Sequence, residues 1–308
     1  MGSQDLKDFK ITGVVAAPFT PFDSDGELAL EKIDPYIEHL LANGVKNVYI
    51  CGTTGEGPSL TIDERKKVAE KWVKAADGRF KAIIVQVGSG NLKEVEELAR
   101  HSEAIGADAI STIPTIFFKP ANPKVIAEFL QKVSNAAPTI PLYYYHNPNM
   151  TGVNFSLESI LNLCTNIKTL RGSKFTSENL YDLSRCILLS SDKYNLLYAV
   201  DEQILPSLTL GVKGGVGSTY NYLGKVVNRL LKAFDDGNIE LARKEQNFMN
   251  EVIAVLKKYG GNVAVNKTIA NITGLDLGPP RHPLVEPSDE DKEKIKKELE
   301  AIDYFNKI

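Results

Sequence analysis

Lys174 stands near the end of the stretch Lys168-Thr-Leu-Arg-Gly-Ser-Lys174-Phe, which reads as a short strand over 169–173 that delivers an amine where a loop begins. Held among apolar neighbours, such an amine loses solvation for its charged form, its pKa falls, and a neutral nucleophile becomes available. That nucleophile can condense with a keto acid to form a Schiff base, which then serves as an electron sink. Upstream, Tyr143-Tyr144-Tyr145 closes another strand pattern. Side chains alternate along a strand, so Tyr143 and Tyr145 share a face and Tyr144, read as core, takes the other. If the shared face is the interior of a barrel, Tyr145 is its uppermost phenol, and a phenol near a lysine suits proton transfer. A third stretch, Gly52-Thr53-Thr54-Gly55-Glu56-Gly57, sets two hydroxyls and several backbone N–H groups in a glycine-permitted turn suited to a small anion. It matches neither the GxxxxGK[ST] nor the GxGxxG phosphate-binding pattern. Gly214-Gly215-Val216-Gly217-Ser218-Thr219 has missing side chains that would let a ligand approach the backbone.

These residues need a scaffold, and the hydrophobic periodicity supplies one. Short apolar runs recur at 11–17, 47–51, 82–87, 109–113, 141–145, 169–173, 194–199 and 212–217. Amphipathic helical patterns follow each run, at 29–41, 62–76, 92–105, 123–136, 157–164, 178–188, 202–210 and 222–234. Strict alternation of strand and helix means a parallel sheet, and eight such units predict an α/β fold, a (β/α)8 TIM barrel, over 8–236. A doubly wound sheet is the alternative. Helical patterns at 239–258, 262–273 and 288–305 predict a C-terminal helical extension over 237–308, packed on the barrel. Thr61 with Glu64 reads as a capping box, and Asp201 as a cap for the helix after strand seven. In a barrel, reactive groups sit at the C-terminal ends of strands. Lys46, Lys81, Lys168 and Lys213 stand at strand beginnings and Lys119 lies beyond a strand beside Pro120, which leaves Lys174 as the candidate amine.

Composition narrows the function classes. The 308 residues are 43% hydrophobic and 24% charged, with a net charge of −3, so no basic surplus points to nucleic acid or an anionic membrane. Cys51, Cys164 and Cys186 are widely spaced, with no CxxC pair, as expected of a reducing compartment. Met1 to Leu6 lacks an apolar signal-peptide core and, with leucine at position 6, the myristoylation pattern. No apolar run reaches the length of a membrane span. The expectation is a cytoplasmic protein, in which the Asn-x-Ser/Thr triplets carry no glycosylation meaning. Of four histidines, His39 and His101 fall in helical patterns, His282 in a proline-rich loop, and His146 has no second ligand at metal spacing. No metal is expected.

Three motifs in register carry a resemblance that covers essentially the whole chain. Gly52-Thr-Thr-Gly-Glu56 before Ser59-Leu-Thr-x-x-Glu-Arg65, Tyr145-His-Asn-Pro148 before Thr151-Gly152, and Gly172-Ser-Lys174 resemble the N-acetylneuraminate lyase and dihydrodipicolinate synthase family. The resemblance implies a barrel with a helical extension, a homotetramer, and class I aldolase chemistry with no organic cofactor or metal. Lys174 would form the Schiff base, Tyr145 would move the proton, and Thr53 and Thr54 would hold the keto acid's carboxylate. Asn149-Met150 stands where the synthase branch is expected to place an arginine. Lys174-Phe-Thr176, Val200-Asp201-Glu202-Gln203 and Gly217-Ser218-Thr-Tyr-Asn221 resemble the sialic acid lyase branch, in which Thr176, Asp201, Glu202 and Ser218 would meet the sugar tail. The substrate implied is N-acetylneuraminate, cleaved reversibly to pyruvate and N-acetylmannosamine. Three features depart from the family pattern. Ala199 replaces a glycine whose backbone approaches the sugar, Asn147 and Asn149-Met150 replace a more apolar run, and Phe117 takes the place of a tyrosine hydroxyl. Two alternatives stay open: a related lyase for another 4-hydroxy-2-oxo sugar acid, and a non-catalytic barrel that binds keto acids.

Overall fold

Strand runs whose apolar residues fall on both faces need cover on both faces, which a parallel barrel ringed by helices provides. The computed structural model describes residues 6–190 and 193–308. Residues 1–5, on which the reading of the N-terminus mostly rests, lie outside the described residues. The strands are β1 (Gly13–Ala16), β2 (Asn47–Ile50), β3 (Ala82–Gln86), β4 (Ala109–Thr112), β5 (Leu142–His146), β6 (Leu170–Phe175), β7 (Asn195–Tyr198) and β8 (Gly214–Gly217). They pair in parallel in chain order, and β8 pairs back to β1, so the sheet closes without an edge. The doubly wound alternative is thereby excluded.

Helices fill the connections: α1 (Ile33–Ala42), α2 (Ile62–Ala76), α3 (Leu92–Ala104), α4 (Pro123–Ala136), α5 (Pro148–Thr151), α6 (Leu157–Leu163), α7 (Leu180–Ser190), α8 (Ile204–Thr209) and α9 (Tyr220–Asp235). Their starts are set by local chemistry. Thr61 and Glu64 form the expected capping box at α2, and Asn91 and Asn122 cap α3 and α4 through their side chains. The four-residue α5, seeded by Asn147 and Pro148, escaped the sequence reading because one turn is too short to show a period. Four helices follow the barrel: α10 (Ile239–Lys258), α11 (Val263–Ile272), α12 (Asp289–Ala301) and α13 (Tyr304–Lys307). They dock by apolar faces, with Ile295, Leu299 and Tyr304 buried, and the Tyr304 hydroxyl donates to the Tyr222 carbonyl at 2.9 Å.

Two apolar layers result. One lies between barrel and helices and includes Trp72, Leu130, Tyr144 and Phe175. The other fills the barrel itself, with Val15, Tyr49, Ile84, Tyr143, Tyr145 and Leu197. The alternation read from the tyrosine triplet therefore holds, with Tyr144 facing the helices. Gly172 is required in this interior, because a Cβ there would lie 1.9 Å from the Asn195 carbonyl oxygen and 2.7 Å from the Tyr143 ring. Its missing side chain gives Tyr143 the lower layer and leaves the level above to Lys174.

Candidate active site

Lys174 and Tyr145 are register partners on adjacent strands, each one residue from its strand's C-terminal end. Strand β6 runs two residues further than the sequence suggested, so Lys174 lies within the ladder rather than in a loop. The cause is Phe175, which pairs with His146 and Tyr198 and stacks between their rings at centroid distances of 5.1 and 6.2 Å. A ladder-held lysine is better positioned than a loop lysine, and it is only 5% exposed. Its Nζ lies 4.1 Å from the centroid of the Tyr49 ring and 4.2 Å from that of Tyr145. Two aromatic faces thus enclose the amine.

The Tyr145 phenol oxygen is 3.3 Å from Thr53 Oγ1, where either hydroxyl can donate, and it accepts from Asn147 Nδ2 at 3.1 Å. Burial pushes this phenol up, but the Lys174 ammonium and the hydrogen bonds from Thr53 and Asn147 outweigh burial and hold it below its ordinary value. Its edge-on neighbour Tyr49, which donates to Ser111 Oγ at 3.0 Å, goes the other way because burial dominates there. Two tyrosines in contact are thereby pushed apart in acidity, as expected where one of them handles a proton.

The Thr53-Thr54 loop is strained and clamped. Cys51 and Glu56, at its two ends, have positive φ of 56° and 52°. Gly57 admits no side chain, since a Cβ would meet the Cys51 carbonyl oxygen at 2.1 Å. The amides of Thr53 and Thr54 donate no backbone hydrogen bond among the described residues, as a carboxylate cradle requires. The clamp comes from the C-terminal extension. Lys267 on α11 is fully buried, binds Glu56 Oε1 at 3.1 Å, and also donates to the carbonyls of Thr20 and Pro279. The other Glu56 oxygen accepts from the Arg281 N–H at 2.8 Å. Burial pulls Lys267 down to about 8, with Glu56 opposing. Neither Lys267 nor the role of Glu56 emerged from the sequence. The available signal was one charged residue in the otherwise uncharged and largely aliphatic run Val263-Ala-Val-Asn-Lys267-Thr-Ile-Ala.

Thr176, Ala199, Asp201, Glu202 and Ser218 line one cavity of about 270 Å³ at the barrel mouth. Thr176 Oγ1 is buried with no hydrogen-bond partner among the described residues. Asp201 does not cap the helix after β7; its Oδ2 accepts from the Thr219 N–H at 3.0 Å and the Thr219 hydroxyl at 2.7 Å. Long-range pairing to the loop after β8 prevailed over the local capping rule. Burial raises Asp201 to about 6. The extension again contributes unforeseen residues: Lys257 pairs with Glu202 at 2.6 Å, and Asn266 donates to Ser218 Oγ at 2.8 Å. Phe117 is not among the residues that line this cavity and is 84% exposed.

His146 is buried in the aromatic stack and lowered by that burial to about 4. Among the described residues no three His, Cys, Asp or Glu side chains gather where they could hold a metal ion, and no helix is long and apolar enough to cross a membrane.

The sequence profile of the dihydrodipicolinate synthetase family matches residues 10–302. The chain belongs to this family. Within it, the chain is 45% identical over 297 residues to the N-acetylneuraminate lyase of Gallus gallus, covering 95% of this chain and 96% of that one. The N-acetylneuraminate lyase of Homo sapiens is 39% identical over 301 residues, 96% of this chain and 94% of its own. Among solved structures, the Proteus mirabilis N-acetylneuraminate lyase superposes with a TM-score of 0.91 at 36% identity, covering 96% of this chain and all of that one. The family relationship read from three short motifs thus extends through the barrel and its C-terminal helices.

Proposed function

We propose that the protein is a class I N-acetylneuraminate lyase, cleaving N-acetylneuraminate reversibly to pyruvate and N-acetylmannosamine. The observation that carries the reading is the pairing of Lys174 with Tyr145 in one register at the barrel mouth. Identity to lyases over nearly the whole chain supports it. In this reading the Lys174 amine attacks the C2 ketone of the open-chain sugar acid, and water leaves as the iminium forms. The Tyr145 oxygen takes the proton from the C4 hydroxyl as the C3–C4 bond breaks, and the bonding pair passes into the iminium to give an enamine. The aldehyde departs, C3 is protonated, and water hydrolyses the imine to free pyruvate and the lysine.

Thr53 and Thr54 hold the carboxylate. Thr176, Asp201, Glu202 and Ser218 receive the hydroxylated tail, with Ala199 adding a methyl at the rim. A polar subsite fits such a tail, because each buried hydroxyl left unpaired would be costly. We further propose a cytoplasmic homotetramer. The adjacent exposed rings of Phe117 and Phe118 offer an apolar surface for a neighbouring copy.

Intact mass after incubation with pyruvate and sodium borohydride tests the mechanism. A stable pyruvate adduct is expected on the wild type and none on Lys174→Ala. No adduct on folded wild-type protein would overturn the reading and leave a keto-acid-binding barrel.

A further inference from the structure

Asn147 was notable in the sequence only as a departure from an apolar run, yet it touches the phenol of the paired site. It lies two residues beyond Tyr145, which returns its side chain to the same side. The carboxamide is fixed from both ends. Oδ1 accepts from the Met150 N–H at 3.3 Å as the cap of α5, so Nδ2 is the end that faces Tyr145. The Asn147 carbonyl accepts from the Thr151 N–H at 3.0 Å and the Thr151 hydroxyl at 2.8 Å, which pins the backbone. The side chain is only 5% exposed, so water does not replace this donor freely.

We propose that Asn147 is a positioning residue for Tyr145, its amide donating to the phenol oxygen and stabilising the phenolate that takes the substrate's proton. The inference rests on the reading of Tyr145 as the base. An N–H donor binds a phenolate more strongly than a phenol, because the ionised oxygen carries the greater charge. Asn147 can only donate here, whereas the Thr53 hydroxyl can turn either way. While protonated, Tyr145 donates to Thr53; once ionised, it accepts from both. The amide therefore selects the state needed for the bond-breaking step without touching the substrate.

Two variants separate this role from a structural one. Asn147→Asp keeps an oxygen to cap Met150 but removes the donor; Asn147→Leu removes both. The measurement is kcat/KM for N-acetylneuraminate against pH, with borohydride trapping of pyruvate as the check that Lys174 remains in place. A base must be ionised to act, so activity rises with pH through its titration. Loss of the donor moves that rising limb upward by about one to two pH units in Asn147→Leu. Asn147→Asp moves it further, because a carboxylate opposes the phenolate. Below the limb this is about a ten- to hundredfold loss at fixed pH.

An unmoved limb in both variants would overturn the inference, with Asn147→Asp behaving as wild type and Asn147→Leu uniformly slower. Loss of trapping in both would overturn it too, by showing that Asn147 serves the fold. Wild-type protein that neither traps pyruvate nor cleaves substrate would instead overturn the reading of the site, and the inference with it.

Discussion

The two ends of the site are built on different principles. At the keto-acid end, Lys174, Tyr145 and Asn147 are almost wholly enclosed, and the threonine loop beside them is strained and locked by the fully buried Lys267–Glu56 pair. At the tail end, Glu202 pairs with Lys257 at the rim, and the Lys257 side chain is 61% exposed. In both places a lysine of the C-terminal extension meets a glutamate of a barrel loop. Burial is the main difference between them: an enclosed pair that loses one partner strands a charge, whereas at the rim water takes over. In the proposed reading, the enclosed end would fix chemistry common to all substrates, and the open end would change with the tail it receives.

The sharpest way to break this contrast is to make the same substitution at both pairs. Lys267→Met is expected to cost about 3–5 kcal/mol, because Glu56 is left charged and buried. Lys257→Met is expected to cost less than about 1 kcal/mol. Denaturant melts of the two variants decide it. Adding Glu56→Gln to Lys267→Met should recover part of the loss by removing the stranded charge, and equal costs for the two single variants would erase the distinction between the ends.

Legibility in the sequence follows the same division. The barrel could be read because both faces of every strand are buried, which leaves apolar runs that no loop would carry. The strand-end placement of Lys174 and Tyr145 was legible, because a period of two and the barrel's polarity place such residues without knowledge of their partners. Lys267 was not, since its partner Glu56 lies 211 positions away and its aliphatic neighbours hint at burial without naming what it pairs with. Asp201 was misread for a related reason. The local rule offered a cap, and the folded chain offered two donors from Thr219, of which the sequence around position 201 carries no trace. Asn147 lay between these cases, noticed as a departure from the family pattern but given no role.

A second test moves to the tail end and uses pH. Asp201 titrates near 6 because burial disfavours its charge. A substrate hydroxyl donating to the carboxylate favours the ionised form, so tail binding is tighter above that pH and weakens as pH falls through it. KM for the sugar acid should therefore rise below about pH 6, while KM for a short 4-hydroxy-2-oxo acid without the tail should not share that step. Asp201→Asn should flatten the step, since an amide does not titrate there. A step that appears equally with the short substrate would place the titration at the keto-acid end instead.

The smallest effect is expected from Lys257→Ala, and it bears on whether the two ends are coupled. Lys257 and Glu202 meet at 2.6 Å, and the lysine is raised above its ordinary value by that hydrogen bond. A pair this exposed stabilises little, so its removal should change KM for N-acetylneuraminate by no more than about fivefold. Its direction depends on Glu202: freed from the lysine, the carboxylate becomes a fuller acceptor for a tail hydroxyl, and KM should fall slightly. Salt should mimic the variant, because screening weakens the same pair. Throughout, kcat should hold, since Lys174 and Tyr145 are positioned by strand register and not by the rim. A drop in kcat with KM unchanged would mean that the rim pair holds the tail in the geometry from which the C3–C4 bond breaks, making the open end part of the catalytic machinery.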